Sequence, residues 1–258
     1  MRLYLKYCLI NMKSQMQYKL SFFLVILGQF LSAFTVFFSV FFMFSIFNAV
    51  DGFTYGQVLL CFAIVGMAFS IAELVSSGFA VFSFMLGSGT FDRILVRPQG
   101  AVFQVLASRM DLSRLGITVQ SIIILCWAVP NSGVNWTWDK ISTLCLMIIC
   151  GSVIFSCLFL IQASFAFFTT EGLEFMNALT YGGREHGRYP FSIYGRGVLS
   201  FLTYVIPLAL FQYYPLLYLI GRASSMWYMF TPVLGLLFLI PSYAFFRFGL
   251  SRYKSTGS

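Results

Sequence analysis

Six long apolar runs fill most of this chain, at roughly residues 22–47, 57–84, 115–129, 141–168, 198–220 and 227–246. A membrane-crossing helix needs about 20 predominantly apolar residues at a rise of 1.5 Å each. Most of the runs reach that length, and the third reaches it by extending toward Val134, with Arg114 left at the interface. With 59% hydrophobic and only 9% charged residues, the chain cannot supply the roughly 25% charge that a water-facing surface carries. The expected class is an all-α polytopic membrane protein.

The cations give the topology. Arg2, Lys6, Lys13 and Lys19 precede the first run. Arg93, Arg97, Arg109 and Arg114 lie between the second and third, and Arg184, Arg188 and Arg196 between the fourth and fifth. Arg247, Arg252 and Lys254 lie near or beyond the end of the sixth. Only Lys140 and Arg222 fall in the other gaps, so 14 of the 16 Lys and Arg residues share one side. The positive-inside rule then places both termini in the cytoplasm of a multi-pass plasma-membrane protein. The net charge of +8 reads as orientation and contact with lipid head groups, with no nucleic acid as partner.

Residues 1–20 read as an amphipathic helix in the interface. Arg2, Lys6 and Lys13 fall on one stripe, flanked by Leu5, Leu9, Met12 and Met16 on one side and Leu3, Tyr7 and Ile10 on the other. Residues 21–254 form the membrane domain, with cytoplasmic loops at 86–114 and 169–197. In the first loop Thr90 is expected to cap a short helix that Pro98 stops, and a second helix is expected to run from Ala101 into the third span. In the second loop a helix is expected from Glu171 to Tyr181, ended by Gly182-Gly183.

The fifth run is irregular because Pro207 and Pro215 interrupt it, and a proline removes a backbone bond and clashes with the preceding turn. A membrane helix to about Leu210 is expected, then a break at Gln212-Tyr213-Tyr214-Pro215. A short segment at 211–226, re-entering from outside, would turn at Gly221 into the sixth span.

Glu73 is the one ionisable residue well inside an apolar run. A carboxylate at mid-membrane costs about 2.5–3.5 kcal/mol on insertion scales, so it should face protein or water, either on a substrate path or in a helix contact. A single acid is a thin basis for ion coupling. The sequence holds no G-x-x-x-x-G-K-[ST] loop and no G-x-S-x-G nucleophile. Its six cysteines form no C-x-x-C pair, and its one histidine, His186, sits among Arg184, Glu185 and Arg188. Neither an enzyme nor a self-powered pump is expected. A carrier that works without ATP, or a membrane scaffold, stays open at this point.

The octet Phe91-Asp92-Arg93-Ile94-Leu95-Val96-Arg97-Pro98, followed by Phe103-Gln104, resembles the first cytoplasmic loop of a bacterial branch of the type-2 ABC transporter permeases. Tyr189-Pro190-Phe191, Ile206-Pro207 and Tyr213-Tyr214-Pro215, with Tyr218 and Gly221, resemble the same branch in order and spacing. The resemblance implies a connecting helix, six transmembrane helices and a re-entrant hairpin between the fifth and sixth. It implies an exporter in which the permease pairs with a copy or a similar permease and with two ATPase subunits. ATP and magnesium would then sit in the ATPase and no cofactor in this chain. Cargoes across the family include drugs, lipids, peptides and polysaccharides. By the same resemblance, residues 91–98 form the helix that couples to the ATPase. Phe91, Ile94 and Leu95 would supply its apolar knob, Asp92, Arg93 and Arg97 its charges, and Pro98 its stop. Glu73, Tyr213, Tyr214 and Pro215 are the residues expected on the substrate path or at its gate.

Overall fold

The computed structural model describes residues 2–46, 49–169, 173–223 and 225–254. Among them every regular element is helical. In chain order these are α1 (Arg2–Gln15), α2 (Lys19–Ile46), α3 (Tyr55–Ala80), α4 (Phe82–Gly87), α5 (Thr90–Leu95), α6 (Ala101–Ser108), α7 (Leu115–Asn131) and α8 (Trp138–Phe165). There follow α9 (Leu173–Gly187), α10 (Gly195–Tyr204), α11 (Leu208–Phe211), α12 (Tyr213–Leu219), α13 (Trp227–Gly235) and α14 (Leu239–Arg252). Among the described residues, five helices or continuous helical segments are long and apolar enough to cross a membrane. Phe191–Tyr204 with Leu208–Leu219 forms a bent pair whose two ends both lie on one side of the bundle, Ser192 against Asp51 and Tyr218 against Asp139.

The axis of the bundle is α3. Its most apolar stretch is 78% buried, against 17% for α2, so α2 presents most of its surface outward. Thr54 and Gln57 start α3 with reciprocal side-chain-to-backbone bonds, which satisfy two of the amides that a helix start leaves open. Small residues then let neighbours close in on it, as helices in lipid require. A side chain at Gly66 would meet Ser121 Oγ of α7 at 2.7 Å, and one at Gly78 would collide with the Val105 carbonyl of α6. On α8, Gly151 leaves room for the Phe211 ring.

Two ends can be distinguished by contacts. At the basal end, Tyr7 of α1 and Tyr253 after α14 both touch the 90–97 segment. At the distal end, Arg222 donates to the Gly52 carbonyl and stacks over Phe53, and Tyr218 donates to Asp139 at 2.6 Å. The two ends of the chain therefore lie on the same side of the bundle.

Several local expectations change. Gly89, in the left-handed region at φ 66°, precedes α5, and Thr90 is its first residue, its hydroxyl 2.8 Å from Ser88 Oγ. The helix from Ala101 does not continue into the third span. It stops at Ser108, Arg109 is extended, and a 3-10 turn at Leu112–Arg114 leads into α7. Asp111 caps that turn, accepting from the Ser113 amide at 3.2 Å and from the Ser113 hydroxyl, the local bonding by which Asp favours a break over a continuous helix.

The segment at 169–197 departs furthest from the expectation of a loop confined to one face. Glu171 lies outside the described residues, but α9 passes straight through Gly182-Gly183 to Gly187. Gly183 is there for packing: a Cβ would meet Leu208 Cδ1 at 2.7 Å. The helix climbs the bundle antiparallel to α8. Asn177 faces Gln162 at 3.0 Å, Tyr181 faces Phe159, and Gly183 lies beside Phe155. Against α3, Tyr181 and Arg184 meet Phe69, Gly187 meets Val65, and Arg188 stacks over Phe62 at 5.2 Å. Fifteen residues span about 22 Å at 1.5 Å each, and Ser192 arrives at Asp51 of the distal turn. Charge counting assigned Arg184 and Arg188 to a loop. The fold instead shelters them on aromatic faces and beside Glu185, which pairs with both.

The break in the fifth run lies earlier than expected. Residues Phe191–Tyr204 and Leu208–Leu219 meet at 93°, with Pro207 in the corner. Pro215 falls in the first turn of α12, where its missing N–H has no partner to lose.

Candidate functional site

The basal loop helix α5 is anchored from inside. Phe91 is fully buried in an aromatic nest of Phe82, Phe167 and Tyr253, with ring centroids 4.9 to 5.8 Å away, and Ile94 is buried beside it. The expected apolar knob therefore divides. Phe91 and Ile94 turn into the chain's own core, whereas Leu95, together with Val96, faces out. Arg93, Arg97 and Pro98 are exposed as well. Asp92 faces the last turn of the chain, where the Tyr253 hydroxyl donates to it at 3.0 Å. Burial and the bond to Asp92 push the Tyr253 hydroxyl above its ordinary value. Arg97 donates to the Tyr7 hydroxyl at 3.3 Å.

A stripe of α1 that the sequence did not flag carries this attachment further. Tyr4 lies against Phe103, the Asn11 amide faces the Ala107 carbonyl, and the Gln15 side chain joins the Met110 carbonyl to the Leu112 amide. Leu9, Ile10, Met12 and Met16 stay exposed.

Glu73 has company that its sequence neighbourhood hides. Its Oε1 lies 3.4 Å from the Arg114 guanidinium, which also reaches Asp111 Oδ2 at 3.2 Å. From α9, Tyr181 and Arg184 bring a hydroxyl and a second cation to the same carboxylate. Glu73, Asp111, Arg114 and Tyr181 line a cavity of about 160 Å³ with Ser77, Arg109 and Phe159, and Arg184 stands outside that lining. The basal break makes it possible, because the extended Arg109 and the 3-10 turn lie across α3. Ser77 donates to the Arg109 carbonyl at 2.9 Å, and the Asp111 amide donates to the Leu74 carbonyl. Arg114 was visible as the cation bordering the third run. Tyr181 and Arg184, three residues apart on one helical face, were the signal for α9's part in the site.

Tyr213, Tyr214 and Pro215 lie elsewhere, in the upper half of the broken span. Tyr214 lies between Tyr213, edge to face, and Tyr228, tilted, and shares a 3.2 Å hydrogen bond with Thr203. Pro215 is buried. Beside them the fully buried Gln212 donates to the Tyr189 carbonyl and ties the corner to the end of α9. Glu73 and the tyrosine pair therefore do not share one cavity.

A family model described as an ABC-2 family transporter protein matches residues 30–257. The chain belongs to that family. No curated protein and no solved structure matches it. Membership covers the helical membrane domain from within α2 onward, and it makes the chain a membrane permease of an ABC transporter, whose family works with ABC ATPases.

Proposed function

We propose that this permease exports an amphipathic cargo across the bacterial plasma membrane, as one half of a homo- or heterodimer driven by two ATPase subunits at its basal end. The orientation follows from charge. Even without the three cations of the 169–197 segment, eleven Lys and Arg residues remain in the gaps of one side against two. The basal end is then cytoplasmic.

One observation carries the coupling assignment. Helix α5 is rigidly seated by Phe91 and Ile94, while Arg93, Leu95, Val96, Arg97 and Pro98 stand out from it. A partner groove is met by such a strip, apolar at its centre and charged at its rim. The load passes from α5 along Asp92 to Tyr253 and along Arg97 to Tyr7, so motion of the ATPase would reach both ends of the chain. Toward the distal end, Tyr213, Tyr214 and Pro215 stand in the arm beyond the Pro207 corner, where a gate would sit. The exposed phenylalanines of α2, Phe23, Phe38, Phe41 and Phe42, suit a second permease or an amphiphile.

The test is co-purification of the ATPase subunit with wild-type permease and with the Arg93→Glu, Arg97→Glu double variant. Loss of the ATPase from the variant alone is expected. Full retention would remove α5 from the contact, and cargo movement with the ATPase absent would favour an ATP-independent carrier.

A further inference from the structure

The cavity beside Glu73 has two open valences and two kinds of wall. The Glu73 side chain is only 5% exposed, and its Oε2 has no hydrogen-bond partner of good geometry among the described residues, although the Tyr181 hydroxyl stands near the carboxylate. A buried acceptor left bare costs about 1–3 kcal/mol, more when charged, so the site calls for a donor. Arg114 is already committed to both Glu73 and Asp111, whereas the exposed Arg109 makes no ion pair among the described residues. An unmet acceptor and an unmet cation thus border the same space. Ala80, Val81 and Phe159 form an apolar wall next to them.

Charge narrows the occupant. The four charged liners, Glu73, Asp111, Arg109 and Arg114, sum to zero, and Arg184 outside the lining pairs with Glu185, so a ligand with net charge would leave one liner uncompensated. A zwitterion satisfies both open valences. Its cation must carry N–H bonds, because Oε2 accepts a hydrogen bond. Waters could supply the donor, but they leave the Arg109 charge without a counter-ion and the apolar wall without an apolar partner.

We propose that this cavity binds the ethanolamine-phosphate head group of an amphiphile, with the ammonium on Glu73 Oε2, the phosphate on Arg109 and the first carbons of the tail against Val81 and Phe159. The amphiphile is either a resident lipid or the cargo. The site rests on the reading of this chain as a membrane permease only in that its ligand arrives from a bilayer.

Native mass spectrometry of the isolated chain, offered equal amounts of phosphatidylethanolamine, phosphatidylcholine and phosphatidylglycerol, tests it without any ATPase. Phosphatidylethanolamine should be retained about tenfold over the other two, as one charge-assisted hydrogen bond implies. Glu73→Gln and Arg109→Gln should each lower that retention about tenfold, while Arg196→Gln, on exposed α10, should not. Arg109 is exposed, so its variant tests the site even where Glu73→Gln fails to fold. Equal retention of the three lipids, no retention, or the same loss in Arg196→Gln would overturn the proposal. Acyl-labelled phosphatidylethanolamine in proteoliposomes separates the sources: ATP-driven movement identifies cargo, binding without movement identifies a resident lipid, and both uphold the site. Failure of the ATPase to co-purify would leave this binding measurable, so the two readings fail independently.

Discussion

Ser192 donates a hydrogen bond to Asp51 across 141 positions of sequence, at 2.7 Å. Asp51 belongs to the turn joining α2 to α3, and Ser192 to the segment that charge counting assigned to the opposite face. The contact therefore makes α9 a helix that climbs through the bundle and not a surface loop. In a cysteine-free background, Asp51→Cys with Ser192→Cys should cross-link under mild oxidation. A membrane-impermeant maleimide should label the two single variants from the same side as Ser225→Cys. Labelling of Ser192→Cys from the other side would return α9 to the basal face.

The seating of α5 predicts an order among variants at the chain's last turn. Tyr253→Phe removes the bond to Asp92, a change of about 0.5–1.5 kcal/mol, and keeps the ring against Phe91 and Phe167. Tyr253→Ala removes both. Hydrogen exchange of the amides at 92–97 should rise modestly in the first and clearly more in the second, with exchange in α7 unchanged. Tyr7→Phe should resemble Tyr253→Phe, since it too deletes a single hydroxyl contact, here with Arg97. Equal exchange in all three variants would mean that the buried Phe91 and Ile94 hold α5 unaided.

Contact between α2 and the rest of the bundle depends on Gly116. A Cβ there would collide with the Ile26 carbonyl, and just above it the Gln120 amide donates to the Ala33 carbonyl at 3.3 Å. The rest of α2 is mostly exposed and is otherwise held by aromatic contacts, Phe37 with Phe62 and Trp127 and Phe41 and Phe44 with Tyr55. Gly116→Leu should cost about 1–3 kcal/mol by overpacking and lower the thermal midpoint in detergent. Gly28→Leu, where nothing lies within 4 Å, should leave the midpoint unchanged.

The apolar runs and the alternation of cations made the class of fold legible, because a bilayer imposes length and hydropathy on each crossing whatever its neighbours. Phe91, Leu95 and Arg97 could be singled out by the family resemblance of the octet at 91–98, which Gly89 precedes and Pro98 ends. Orientation of side chains was not legible. Phe91 and Leu95 are equally apolar, and only the nest of Phe82, Phe167 and Tyr253 decides that the first turns in and the second out. The path of α9 was hidden because Arg184 and Arg188 read as solvated until Phe69 and Phe62 supply ring faces for them. Glu73 stood out, yet its partner Arg114 is 41 positions away and reaches it from the turn that Asp111 caps before α7.

The two prolines of the broken span should behave oppositely, although both interrupt one apolar run. Pro215 sits in the first turn of α12, where no helical partner exists for an N–H and the ring suits the helical φ. Pro215→Ala should therefore change the thermal midpoint little. Pro207 occupies the 93° corner between α10 and α11, with ψ at 44°, outside both helical and extended values. Replacing it by Leu restores a donor and frees φ, so it favours a continuous helix from α10 into α11. That straightening would pull Leu208 off Gly183 and Phe211 off Gly151, and both glycines are shaped to receive them. Pro207→Leu should lower the midpoint and abolish the bridging of Thr203→Cys to Tyr214→Cys by a short bifunctional maleimide, the parent hydroxyls lying 3.2 Å apart across the corner. A cross-link as efficient as in the Pro207 parent would show that packing of Phe211 and Leu208, and not the proline, sets the bend.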